Sequence, residues 1–236
     1  MGRRAGNDSE RKDAATILAN LGRTDGSLVA IDEVRDVLVG IGRAAASDDA
    51  RLATATAICN VAISEEGRRV MAKEDVRDAL IGMARAAGSE EARKCIAVAI
   101  SNVSLADGGL AMARDEVRDV LVAMAQLPGG ELFRRCIAKS IANVACSEEG
   151  RRVMARDEVR EVLMGIARSA TEGATRWAFA IALRNLSGSD EGRGVMARDE
   201  VRDVLVGMGQ AAGSDEERWS IARAIGVLSI RIGLQV

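Results

Sequence analysis

The chain has 236 residues, 48% of them hydrophobic and 29% charged, which is too apolar for a disordered polymer. A net charge of −2 gives no general attraction to nucleic acid, and no apolar run approaches the ~20 residues of a membrane span. With no histidine, the commonest general base and metal ligand are missing, so neither catalysis, a cofactor nor a metal is expected. Two Phe, two Trp and no Tyr require a core of Ala, Val, Ile, Leu and Met, which suits closely packed helices. The start Met1-Gly2-Arg3-Arg4 has no apolar stretch behind it, so no secretory leader is expected. Four scattered cysteines fit a reducing compartment, the cytoplasm or alternatively the nucleus.

In chain order, the first helical pattern covers about 9–22 and stands alone. A unit then recurs over 23–63, 64–105, 106–146, 147–188 and 189–229, followed by an apolar tail, 230–236. Its first marker is the Val of an Asp-Glu-Val-Arg-Asp phrase: Val34, Val76, Val117, Val159 and Val201, at steps of 42, 41, 42 and 42. Its second is an Asn, at Asn20, Asn60, Asn102, Asn143 and Asn185, at steps of 40, 42, 41 and 42; the last unit has Val227 instead. Two markers sharing one period define a tandem repeat, and 1–236 reads as a single repeat domain. In the unit from Ser64, Ser64 caps a short helix to Met71, and a longer helix runs from Glu74 to about Ala87 with Gly88 as its C′ stop. Ser89 then caps a third helix ending near Ser104. No strand is expected. The phrase Glu65–Ala72 nearly repeats at Glu148–Ala155, as in recent duplication or a consensus-type design.

Third-helix faces follow at about 100° per residue. Ile96, Ile100 and Val103, and likewise Phe179, Leu183 and Leu186, form the core face. Five before the marker place is always Ala: Ala15, Ala55, Ala97, Ala138, Ala180 and Ala222, small enough for close helix approach. Nine before it is always Arg: Arg11, Arg51, Arg93, Arg134, Arg176 and Arg218. These should pair with acids of adjacent units. The Arg after each marker Val, as in Arg35-Asp36 and Arg77-Asp78, reads as a solvated outer face. Cys95 and Cys136, at equivalent places, read as small apolar fillers.

The period, the short-long-long helix plan and the phrases Ala99-Ile100-Ser101-Asn102-Val103-Ser104 and Ala182-Leu183-Arg184-Asn185-Leu186-Ser187 resemble the armadillo repeat. The resemblance covers about 9–229 and implies an all-α fold, a right-handed α-solenoid of armadillo-like three-helix repeats. It also implies that Asn20, Asn60, Asn102, Asn143 and Asn185 face a concave groove and bond the backbone of an extended segment of another protein. An amide suits that task, offering donor and acceptor together. The family's nuclear-import receptors carry Trp four before the Asn, where this chain has Thr16, Thr56, Val98, Lys139 and Ile181. Trp177 and Trp219 stand eight before the marker place instead, in a row with Lys12, Leu52, Lys94 and Arg135. With Lys139, Arg184 and Arg223, that row makes the groove basic, so an acidic partner is expected and nucleic acid is not. The alternative is a structural, self-assembling protein that forms homo-oligomers through uncapped repeat ends.

Overall fold

The structure, a computed structural model, describes residues 7–24, 29–105 and 109–229. The Met-Gly start and the 230–236 tail lie outside the described residues, as do 25–28 of the first full repeat. Among the described residues there are fifteen helices and no strand. The chain forms two compact units, Met1–Met112 and Ala113–Val236, divided within the 106–146 repeat.

Unit 1 contains α1 (Asp8–Thr24), α2 (Asp32–Ala44), α3 (Asp48–Val61), α4 (Glu65–Met71), α5 (Glu74–Ala86), α6 (Glu90–Val103) and α7 (Gly109–Met112). Unit 2 contains α8 (Asp115–Ala125), α9 (Glu131–Val144), α10 (Glu148–Met154), α11 (Asp157–Arg168), α12 (Gly173–Leu186), α13 (Asp190–Met196), α14 (Asp199–Ala211) and α15 (Asp215–Ser229). The third helices stack in series, α1 on α3 on α6 in unit 1 and α9 on α12 on α15 in unit 2. The second helices stack alongside, α2 on α5 and α8 on α11 on α14.

The core is aliphatic, as the composition requires. Ile96, Ile100, Val103, Phe179, Leu183 and Leu186 are all fully buried or nearly so. In unit 2 the alanine row is buried at Ala138 and Ala180 and exposed at Ala222, so this row faces the next repeat. In unit 1, Ile17 is 60% exposed while its equivalents Ala57 and Ala99 are buried, so that row faces the preceding repeat. Small residues on the flanks that meet another third helix let neighbours approach closely, whereas Ile17 lies on the open flank of α1.

Three of the short helices, α4, α10 and α13, start the same way. Ser64, Ser147 and Ser189 accept from the amides of Gly67, Gly150 and Gly192 at 3.0, 2.9 and 3.1 Å. Those glycines sit against the end of the preceding third helix. A Cβ on them would lie 1.8 Å from the carbonyl oxygens of Val61, Val144 and Leu186. No side chain fits there, and the Ser-acid-acid-Gly phrase records that constraint.

The loop into each third helix differs from expectation. Gly88 adopts no left-handed φ: α5 runs out through an extended Ala87 (φ −73°, ψ 117°). The amides of Gly88 and Ser89 donate instead to the Asp48 carboxylate of the preceding repeat. The same clamp recurs where Asp8 accepts from the amides of Ala46 and Ser47 at 2.9 and 2.6 Å. Glu131 likewise accepts from the amides of Thr171 and Glu172 at 2.9 and 2.7 Å and from the Thr171 hydroxyl. A C-cap turn would point these amides away from the carboxylate, so the loop stays extended. The Ser47 hydroxyl and the Ala46 amide hold the Asp8 carboxyl at about 2, and the Thr171 hydroxyl and the Glu172 amide do the same for Glu131.

Two arginine rows also need correction. The row nine before the marker does not, in general, pair directly with acids of adjacent units. Arg51, Arg93, Arg176 and Arg218 bond the carbonyls of Ala46, Gly88, Thr171 and Ala212 in their own repeats. Arg51 also holds Asp48 at 2.8 Å, so it supports the clamp that reaches the next repeat. Arg176–Glu217 is a direct cross-repeat pair, both side chains nearly buried. The Arg after the marker Val is solvated, as expected, only at Arg202, which is 51% exposed; the other four are largely covered. Arg35, Arg77, Arg118 and Arg160 have side chains only 13–18% exposed. Arg35 reaches Asp75 and Arg160 reaches Glu200, each in the following repeat.

Two predictions follow from these contacts. Glu131→Gln is expected to lower unfolding free energy by about 1–2 kcal/mol at neutral pH, since it weakens charge-assisted bonds to amides. Because the folded Glu131 lies at about 2 against an ordinary 4.5, its contribution is complete above about pH 5 and fades as pH falls toward 2. Urea titrations of both proteins at pH 7 and pH 3 should therefore show the gap closing in acid. Gly150→Ala should cost about 2–3 kcal/mol by thermal melting, from backbone overlap. Gly82→Ala, where a Cβ meets nothing within 4 Å inside α5, should instead gain about 0.5–1 kcal/mol.

Candidate functional site

The marker asparagines sit at the last turns of the third helices, and the structure shows their amides tying neighbouring helices together. Asn60 donates through Nδ2 to the Ala19 carbonyl at 2.8 Å. Asn102 donates to the Cys59 carbonyl at 3.3 Å and lies 3.2 Å from its sulfur. Asn185 donates to the Ala142 carbonyl at 2.9 Å and lies 3.3 Å from the sulfur of Cys146. Each acceptor is the residue just before the marker of the preceding repeat; the Cys59 and Ala142 carbonyls are among the last four of α3 and α9, which cannot satisfy them internally. Asn143 is half-buried, and Asn20 is exposed with no side-chain partner among the described residues. Asn60 and Asn102 keep Oδ1 available. That of Asn185 accepts from Nε and a terminal nitrogen of Arg184 at 3.3 and 3.0 Å.

The charged residues on the same helix faces divide by pairing. In unit 1 they cancel: Lys12 meets Asp49 at 2.7 Å and Lys94 pairs with Glu91. In unit 2, Arg135 meets Glu172 at 3.1 Å. Among the described residues no carboxylate pairs with Lys139, Arg184 or Arg223. Lys139 is exposed, Arg184 is steered by the Asn185 amide, and the Arg223 guanidinium lies 4.6 Å from the centre of the Trp219 ring. Trp219 is 57% exposed and Trp177 is half-buried. Arg135, Lys139 and Asn143 therefore line α9, Trp177, Arg184 and Asn185 line α12, and Trp219 and Arg223 line α15.

The four cysteines are free thiols. Cys136 is buried and Cys95 half-buried, and burial pushes the Cys95 and Cys146 thiols upward, away from the reactive thiolate. Among the described residues no three Cys, Asp or Glu side chains gather as metal ligands, and no helix is long and apolar enough to cross a membrane.

No family model and no curated protein matches the chain. Solved structures do. A designed armadillo repeat protein superposes with a TM-score of 0.80 at 18% identity, covering 95% of this chain and 96% of that one. Another, solved in complex with the peptide (KR)4, superposes at 0.79 with 17% identity and 95% coverage of both chains. Computationally designed armadillo repeat proteins for modular peptide recognition superpose at 0.76 with 16% identity and the same coverage. The fold is an armadillo-like α-solenoid.

Within this armadillo-like fold, the residues missed by sequence reasoning are the clamp carboxylates Asp8, Asp48 and Glu131. The signal for them was present: twelve before the marker stands an acid at Asp8, Asp48, Glu90 and Glu131, and only Gly173 departs. The asparagine ties predict a contrast. Asn60→Ala should cost about 1 kcal/mol, because it removes the bond that ties α3 to the Ala19 carbonyl of α1. Asn20→Ala, with no such bond, should be neutral within about 0.5 kcal/mol in the same urea titration.

Proposed function

We propose that this armadillo-like chain is a binding module, not an enzyme, and that the third-helix face of unit 2 takes an extended, acidic segment of another protein. The observation that carries the reading is the set of three cations on α9, α12 and α15, Lys139, Arg184 and Arg223, with no carboxylate partner among the described residues. Other cations on the third-helix faces are neutralised locally, Arg135 by Glu172, Lys94 by Glu91 and Lys12 by Asp49. Two of the three are also held in place by neutral groups, an amide and an indole, which lowers the ordering cost of meeting an anion. The polar face of unit 1, with Lys94, supplies the Asn20 amide and the Oδ1 acceptors of Asn60 and Asn102, whose amide nitrogens serve the stack, and little net charge. In unit 2, Asn143 stands beside the cations while Asn185 orients Arg184, with Trp177 and Trp219 as apolar contacts.

The structural neighbour solved with (KR)4 supports an extended peptide as the class of partner. The charge of that peptide is opposite to the one proposed here, because a row of unpaired cations repels Lys and Arg. A titration with acidic, neutral and basic peptides of equal length, read by fluorescence of Trp177 and Trp219, tests this. The acidic set should bind, weaken as salt is raised, and lose at least tenfold in affinity with Lys139→Glu, equivalent to about 1.4 kcal/mol. Tighter binding of the basic set, or no binding with concentration-dependent light scattering, would refute the reading, the latter in favour of self-assembly.

A further inference from the structure

In the last repeat pair the clamp is built from the opposite side. The place held by Asp8, Asp48 and Glu131 in other repeats is Gly173 here. Glu217, from the following repeat, replaces it: its carboxylate accepts from the Gly213 amide at 3.0 Å and pairs with Arg176, while Ser214 accepts the Glu217 amide at 3.2 Å. A Cβ on Gly173 would come within 2.9 Å of the Glu217 carboxylate, so the two arrangements exclude each other. Moving the acid to the far side leaves a cleft of about 380 Å³ between the starts of α12 and α15, lined by Gly173, Ala174, Trp177, Ser214, Glu216 and Glu217.

The chemistry of this cleft is legible. Its wall is the half-buried Trp177 ring with Ala174 and Gly173 beside it. Glu217 is consumed by Arg176 and the Gly213 amide, and Glu216, exposed at the rim, repels an acidic side chain. The volume lies in the range of small-ligand pockets, roughly 300–1,000 Å³, and apolar walls with few polar groups favour an uncharged apolar guest. Trp177 stands seven residues before Arg184, two turns along one stripe of α12, about 10 Å apart.

We propose that this cleft is an apolar anchor subsite: the segment bound by unit 2 inserts one bulky apolar side chain, Leu or Phe, beside Trp177, flanked by acids that meet Arg184 and Arg223. The proposal rests on the acidic-segment reading and narrows its ligand to an acidic stretch interrupted by a single apolar residue. Tryptophan and arginine, the residue types involved, are those that dominate binding hot spots.

The test uses four acidic 12-residue peptides that differ only at a central Leu, Phe, Lys or Gly, titrated calorimetrically into the full chain and into two variants. The Leu and Phe peptides should bind at least tenfold more tightly than the Gly peptide. Ala174→Phe, at an exposed helical position, fills the cleft and should erase that preference. Trp177→Ala should also erase it, and circular dichroism melts establish that both variants remain folded. Equal binding of the Leu and Gly peptides, or tightest binding of the Lys peptide, overturns the anchor while leaving the acidic-segment reading intact. Failure of all four peptides to bind overturns both.

Discussion

Everything in each stack depends on side chains of one repeat satisfying backbone groups of its neighbour at the ends of the third helices. A helix leaves its first N–H groups and last carbonyls without internal partners. In this protein a carboxylate crosses to claim two amides just before the next third helix, as Asp8, Asp48 and Glu131 do. At the other end an asparagine crosses back to claim a carbonyl, as Asn60, Asn102 and Asn185 do. An aliphatic core rich in alanine drives association without fixing register, because apolar burial is non-directional. The directional bonds at both ends supply that register, which a chain with two Phe and two Trp cannot obtain from interlocking rings.

That division of labour explains why the arginines behave as they do. Arg51 and Arg176 have fixed local duties at their own loop carbonyls, and each also steadies a carboxylate that links two repeats. Arg35 and Arg160 do the equivalent on the second-helix layer, covered by neighbouring helices and reaching the first-turn acids of the next repeat. Largely covered guanidiniums of this kind make breaking a pair costlier than a surface count of salt bridges implies.

The period, the helix spans, the serine caps and the core and alanine rows were legible in the sequence, because each is a local or periodic property. Ser64, Ser89 and Ser147 cap as their positions indicate, and Ala97 and Ile100 are buried as their angles indicate. What periodicity conveys is the face of a helix and not the atom across from it. Hence Gly88 looked like a left-handed stop when its amide was already claimed from another repeat. Hence also Arg35 and Arg160 looked solvated when a neighbouring helix covers them. For the candidate site, the sequence identified the residues lining the faces but not their pairing. The register gives each position on its helix but not that Arg135 is neutralised by Glu172 while Arg184 meets the Asn185 amide.

The functional information therefore sits in the departures from the repeat. Positions that recur, the clamp acids and marker asparagines, are occupied in holding the stack together, and what recurs in every repeat cannot by itself select one partner. Where the pattern breaks, groups are released: Gly173 in place of an acid opens space beside Trp177, and Arg184 before its marker has no carboxylate to meet. The two breaks fall on α12, and Trp219 with Arg223 on α15 lies next to it in the stack. A recognition face needs residues that the fold has not already used, and in unit 2 those residues are gathered on adjacent helices.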